Sequence, residues 1–351
     1  MSAASQATPG THAGACRVPP LPYVPRPALL SLIETALKSG FTRLVLLSAS
    51  SAMGKTSFID HELVPAATQW GWDLLRWSPQ AAKPGVLQGL FDQLEGLAGL
   101  AGALSPGWSV ELESARASGP CARLERLARA LDLRPMPVLL VLDGLEALGD
   151  GSRAQLFAAL ALLSRSGVRT GLLLSGLPSS LMDAAPISRG ARLNMQLPVL
   201  GEDYVLDRVE RLGIDRAECA GLAQALAQVG HVPQYMDALM RLLAGAGHPA
   251  IAFARWQETA ARNGFSRRWS ALRELDQRLL CNVVQGRGRS LYTRDFSLRL
   301  SGELTDGRVV NPQKIQTAIN RLVKANILYP TVAGGYEIQD GEMATFAAIG
   351  S

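Results

Sequence analysis

Ala49-Ser50-Ser51-Ala52-Met53-Gly54-Lys55-Thr56 follows the apolar run Leu44-Val45-Leu46-Leu47 and leads into a helical pattern. The stretch differs at one position from the phosphate-loop signature G-x-x-x-x-G-K-[ST]. Strand, tight loop and helix, in that order, bring backbone N–H groups and the positive end of a helix together on a phosphate. Gly54 lets the backbone approach closely, Lys55 is a mobile cation for β- and γ-phosphate oxygens, and the Thr56 hydroxyl is placed to ligate Mg²⁺. Ala49 stands where the signature has its first glycine, so the loop turns only if that residue keeps φ below zero. A strand-to-helix turn that merely carries Gly-Lys-Thr is the alternative.

A second stretch weakens that alternative. Val138-Leu139-Leu140-Val141-Leu142-Asp143 is an apolar run closing on an acid, the form of a buried parallel strand that presents a carboxylate at its C-terminal edge. Such an aspartate, downstream of a Gly-Lys-Thr loop, is placed to hold the metal opposite the loop hydroxyl. Thr56 and Asp143 are therefore the candidate metal ligands.

At 351 residues the chain has room for two or three domains of roughly 100–200 residues each. Cys16, Cys121, Cys219 and Cys281 are far apart, with no C-x-x-C pair, so neither a zinc site nor a disulfide framework is expected. They read as reduced thiols of a cytoplasmic protein. No apolar stretch is long enough to span a bilayer, and the N-terminus has neither a basic region nor an apolar core of a secretory signal. Charge is uneven: residues 255–351 hold 14 Lys+Arg against 9 Asp+Glu, which accounts for the whole net charge of +5. A local basic excess of this kind suits a polyanionic partner, or is a solvated face with none.

Along the chain, residues 1–18 read as a disordered tail and 19–200 as a phosphate-loop core in which strands alternate with helices, implying a parallel sheet covered on both faces. Strands are expected at about 43–47, 73–77, 138–142, 170–175 and 192–197, the loop's helix from Gly54 to Pro65, further helices at 28–38, 86–100, 122–131 and 153–165, and an irregular stretch over 100–119. Residues 201–250 read as a lid of three helices, about 203–212, 216–229 and 234–244. Residues 251–351 have helices near 270–284, 292–300 and 312–326, then a hairpin pivoting on Gly334-Gly335, the order of a winged helix-turn-helix. On the 312–326 helix, Lys314, Gln316, Thr317, Asn320, Arg321 and Lys324 lie off the apolar face and are suited to phosphates and base edges. Arg287, Arg289, Arg294 and Arg299 extend that basic surface.

With these motifs in place, the chain resembles the P-loop ATPases of the AAA+/STAND division, particularly the archaeal-type branch, from about Tyr23 to Phe346. Tyr23-Val24-Pro25-Arg26 matches the aromatic-hydrophobic-Gly-Arg opening of that group with Pro25 in the glycine's place, and Gly54-Lys55-Thr56-Ser57 matches its loop ending. Asp143-Gly144-Leu145-Glu146-Ala147 keeps the first and fourth residues of its Asp-Gly-Leu-Asp-Glu metal strand as acids, and Gly230-His231-Val232-Pro233 resembles its lid motif. The resemblance implies ATP and Mg²⁺ as ligands, with Arg26, Ala49 to Ser57 and Pro233 at the nucleotide. It also implies a polar residue at the end of the fourth strand, Ser175, facing the γ-phosphate or water. Gly144 replaces the glutamate that orients water in AAA+ enzymes, leaving Glu146 as the acid, so slow hydrolysis is expected. Arg189 or Arg192 sits where relatives place an arginine that completes a neighbour's site in an oligomer.

Three functions follow. In the first, ATP state is coupled through the winged helix to duplex DNA or to a protein effector. In the second, the chain is a non-hydrolysing adaptor that docks a partner of transposition or defence type, a reading favoured by Ala49 and Ala147. A small-molecule kinase is the third, and the basic winged terminus argues against it.

Overall fold

The computed structural model describes residues 22–40, 42–79, 86–102, 120–132, 134–165, 169–187, 191–215, 221–229, 232–262, 265–304, 309–331 and 334–349. Five parallel strands, β1 (Thr42–Ser48), β2 (Asp73–Trp77), β3 (Val138–Leu142), β4 (Thr170–Gly176) and β5 (Ala191–Gln196), form one sheet in the order β2-β3-β4-β1-β5. Strand alternation sends Val45, Leu47, Leu139, Val141 and Leu173 to one face and Leu44, Leu46, Leu140, Leu142, Leu172 and Leu174 to the other. Helices Val86–Gly102, Pro120–Asp132 and Asp150–Arg165 cover the second face. Helix Pro27–Lys38, the loop helix and the lid share the core of the first. This is the P-loop NTPase arrangement, and β4 lies between the loop strand β1 and the acid strand β3. The loop, Ser175 and Asp143 therefore lie side by side at the C-terminal ends of three neighbouring strands.

The loop helix runs past its expected stop at Pro65. It comprises an α-turn Lys55–Phe58, a π-turn Ile59–Leu63 and an α-segment Val64–Gln69. Proline lacks the N–H of a regular helix and clashes with the preceding turn, and the wider π-turn accommodates both defects. Phe58, Ile59 and Leu63 are fully buried in the first core and fix this helix, and with it the loop, against the sheet.

Helices Glu202–Leu212, Leu222–Gln228 and Pro233–Ala246 form the lid. A fourth helix, Pro249–Arg262, packs on the last of these and buries Trp256 against Tyr235 in the same core. The boundary expected at 250 falls at the start of this helix. The winged helix-turn-helix follows with its own core. Its helices are Glu274–Asn282, Arg294–Glu303 and Pro312–Lys324, and its hairpin pairs β6 (Leu328–Pro330) with β7 (Tyr336–Ile338). Two helices the sequence reading did not include, Phe265–Ser270 and Gly341–Ile349, flank it. Residues 1–18, most of the stretch 100–119, Arg189, Gly230 and His231 lie outside the described residues. No described helix is long and apolar enough to cross a membrane.

Candidate functional site

The loop closes without glycine at its first position. Ala49 is 2% exposed, its φ is not positive, and its N–H donates to the Gly176 carbonyl at 3.3 Å. The left-handed positions are Ala52, φ 63°, and Gly54, φ 87°. Alanine there costs about 1–2 kcal/mol. Fully burying Phe58, Ile59 and Leu63 contributes about 1.5–3 kcal/mol each, so the anchored helix holds the strained turn in place.

Behind the loop, Lys55 is 7% exposed, and its ammonium donates to the Ala49 carbonyl at 3.0 Å and the Ser50 carbonyl at 3.2 Å. Burial lowers its pKa, while Glu146 and Asp143 pull it back up. The Thr56 hydroxyl donates to Asp143 Oδ2 at 2.8 Å. Asp143 is 3% exposed, and its Oδ1 is buried without a hydrogen-bond partner. Arg76 of β2 reaches the same carboxylate at 3.6 Å and also pairs with Asp60. An exposed hydroxyl paired with a buried carboxylate that keeps one unsatisfied anionic oxygen is a donor set suited to a hard divalent cation. Thr56 and Asp143 thus fit Mg²⁺, on geometry that brings together residues 87 apart in sequence. No cluster of three or more His, Cys, Asp or Glu side chains is placed to hold a metal among the described residues.

Gly144 has φ 81°, a conformation a glutamate would adopt only under strain. The acid instead sits two residues on, on the 3-10 turn Leu145–Ala147. Glu146 Oε1 lies 3.8 Å from Lys55 Nζ, and its Oε2 accepts from the Leu177 N–H at 3.3 Å. A Cβ on Gly176 would stand 2.4 Å from the Ser180 hydroxyl oxygen and 3.2 Å from that oxygen of Glu146, so the glycine after Ser175 makes room for both side chains. The Ser175 side chain is fully buried and its hydroxyl has no partner. Glu146 thus stands beside Lys55 and Thr56 beside Asp143, while Ser175 ends the strand next to that of Asp143.

At the other end of the loop, a cavity of about 190 Å³ is lined by Tyr23, Arg26, Gly54, Ser57, Tyr204 and Pro233, among others. Tyr23 stacks on His61 at 4.9 Å and donates to Glu62 Oε1 at 2.5 Å, and Glu62 also accepts the Arg26 N–H at 2.7 Å. Arg26 donates from one guanidinium nitrogen to the Met53 carbonyl at 3.2 Å, while its other terminal nitrogen is buried without a partner. Pro233 Cγ and the Arg26 guanidinium both lie within 4 Å of where a Cβ on Gly54 would stand. The sequence reading missed the clamp that closes this cavity. Arg208 donates to Asp237 and to the Pro22 carbonyl, each at 2.8 Å, tying the lid to the extended segment before the first helix.

On the winged domain, Lys314, Gln316, Thr317, Asn320 and Lys324 are exposed along helix Pro312–Lys324, as are Arg289, Arg294 and Arg299 nearby. Gln316 bonds Asn320 at 2.8 Å and the Lys314 ammonium caps the Val309 carbonyl at 3.1 Å. Arg321 is held differently. Its guanidinium pairs with Asp276, which is 1% exposed, so it closes the domain core beneath the helix. Arg192 lies exposed on β5 and is not brought to the cleft of this chain.

No protein-family model matches the chain, and no curated protein matches it in sequence. Solved structures that align with it include the Aeropyrum pernix Orc1 protein in complex with DNA, 14% identical over 92% of this chain and 90% of that one, with a TM-score of 0.40. Pyrobaculum aerophilum Cdc6p is 14% identical over 96% and 95%, with a TM-score of 0.41. The Thermotoga maritima RuvB Holliday junction branch migration motor is 14% identical over 89% and 90%, with a TM-score of 0.39.

Proposed function

We propose that this chain is an ATP-binding, slowly hydrolysing switch that couples nucleotide state to duplex DNA through its winged helix. The observation that carries the reading is the Thr56–Asp143 pair at 2.8 Å, with one Asp143 oxygen left buried and unsatisfied. A buried polar atom lacking a partner is costly, and a metal–phosphate ligand would supply what Asp143 Oδ1 and the Ser175 hydroxyl lack. Lys55 and Arg26 would neutralise phosphate charge, and the cavity at Tyr23 and Pro233 would take the base. Mg²⁺ held by Thr56 and Asp143 would neutralise charge on the β- and γ-phosphate oxygens. Glu146 would accept the proton of the attacking water and Ser175 would orient it. The exposed basic and amide side chains of helix Pro312–Lys324 support DNA as the partner.

A second reading, an adaptor that binds nucleotide without turnover and docks a protein, draws support from the ties of Glu146 to Lys55 and to the Leu177 N–H. Multiple-turnover phosphate release from the intact chain, with and without duplex DNA, separates the two. The switch gives slow release that DNA alters; the adaptor gives bound ATP and no release.

A further inference from the structure

Asp143 is joined to a cation from the neighbouring strand. Arg76 is the penultimate residue of β2, and the register of the two strands places it beside Val141 of β3. One residue on, the Trp77 carbonyl accepts the Asp143 N–H at 3.0 Å, so the end of β2 is fastened to the acid itself. The Arg76 guanidinium forks between two carboxylates. Its Nη1 pairs with Asp60, and its Nη2 lies 3.6 Å from Asp143 Oδ2, the oxygen that also accepts the Thr56 hydroxyl. Asp60 stands on the π-turn of the loop helix, in the turn after Thr56, so one side chain bridges β2, the acid strand and the loop helix.

The two carboxylates are unlike. Asp143 is buried, while the side chains of Asp60 and Arg76 remain 38% and 34% exposed. A carboxylate taken out of water needs a counter-charge, and leaving it uncompensated is strongly destabilising. Among the described residues, Arg76 is the cation within 4 Å of Asp143. Lys55 acts on Asp143 from farther off and is itself met by Glu146 at 3.8 Å. A guanidinium so close to the carboxylate and a divalent cation bound there contend for the same anion and repel each other. Asp60 gives the guanidinium a second seat, on the solvent side of the loop helix and away from the Thr56–Asp143 pair.

We propose that Arg76 is a positioning residue for the metal: it is the counter-charge of Asp143 while no metal is bound, and it gives way to the metal by settling on Asp60. The inference rests on the reading of Thr56 and Asp143 as the metal ligands. Competition of this kind is reciprocal, so the guanidinium weakens the metal by the same factor as the metal weakens the hold of Arg76 on Asp143. Asp60 acts in the opposite sense, because the carboxylate that holds the guanidinium keeps Asp143 available. A bridge that only fastened β2 to the loop helix would behave differently: its removal would lower stability and leave the metal's contribution unchanged or reduced.

Binding of a fluorescent ATP analogue to the intact protein, at saturating Mg²⁺ and again in EDTA, tests this directly. The ratio of the two affinities is the metal's contribution, separated from any effect of a substitution on the phosphates themselves. Arg76→Gln, which keeps the length of the side chain but not its charge, should raise the ratio at least about tenfold, the low end of what one charge within about 4–6 Å does to a carboxylate's affinity for a proton. Asp60→Asn should lower it, and in the Arg76→Gln background the same substitution should change it less, because Asp60 acts through the guanidinium. A ratio in Arg76→Gln equal to or below the parent's overturns the proposal. If that protein does not fold, Asp60→Asn carries the test on an exposed side chain, and a ratio equal to the parent's there overturns it. Failure of the metal reading is a separate result, in which Asp143→Asn keeps the parent's ratio. A parent that binds the analogue in neither condition overturns the nucleotide reading and the proposal with it.

Discussion

Ala52 and Ala49 make opposite demands on their side chains. The alanine at the signature's first position is in an ordinary conformation, while the strain falls on Ala52 at φ 63°. Ala52→Gly should be neutral or raise the unfolding free energy by up to about 1 kcal/mol, because relief of about 1–2 kcal/mol is partly offset by unfolded-chain entropy. Ala49→Gly, which restores the signature, should instead lower it by about 0.5–1 kcal/mol. Urea unfolding of the two proteins reads the contrast directly. Glu146 is the other residue whose neighbours decide its role. Glu146→Gln keeps its shape and the Leu177 N–H bond but loses the charge that faces Lys55. ATP binding should persist and turnover should fall by about 100-fold or more, the usual weight of a general base. Turnover equal to the parent's removes Glu146 from the chemistry. The position of this acid was readable from Asp143-Gly144-Leu145-Glu146, and the reason for it was not: the left-handed backbone at Gly144 becomes visible only once β3 is placed in the sheet.

Among the elements, helix Pro312–Lys324 divides its polar residues between two tasks. Lys314 and Lys324 are exposed, while Arg321 neutralises buried Asp276. Lys314→Ala with Lys324→Ala should leave stability within about 0.5 kcal/mol, as surface changes usually do. In duplex DNA binding by the intact protein, the same pair should reduce the dependence of log affinity on log salt by roughly 0.9 for each phosphate that is no longer neutralised. Arg321→Ala should cost about 1–3 kcal/mol of stability, since it leaves Asp276 desolvated. If Arg321→Ala weakens DNA binding with stability intact, the division of labour is wrong. Helical spacing identified these residues as lying off the apolar face. It could not reveal the pairing of Arg321, because Asp276 lies 45 residues away on another helix. The strands were the most legible elements, since β3 and β4 are buried throughout, β3 reads as an unbroken apolar run and β4 centres on Leu172, Leu173 and Leu174. Helix Pro249–Arg262 was not among the expected elements, since it spans the boundary placed at 250. The π-turn before Pro65 was missed because proline ordinarily ends a helix.

Across the molecule, the sheet order places the loop, Ser175 and Asp143 on adjacent strands, and the lid and winged domain close on the two ends of the loop. Little of this long-range closure is encoded in local pattern. The Gly341 N–H donates to the Ser51 hydroxyl across 290 residues, and Gly341 belongs to no motif. Arg208 and Pro22 are joined over 186 residues by a backbone carbonyl that no side-chain pattern announces. The proposed switch depends on nucleotide binding through Lys55, Thr56 and Asp143. Equilibrium binding of labelled ATP with Mg²⁺, to the intact protein and to a Lys55→Ala protein shown to be folded by its unfolding transition, tests that dependence most directly. Saturable binding by the first and none by the second is the expected result; equal affinity in both would contradict it.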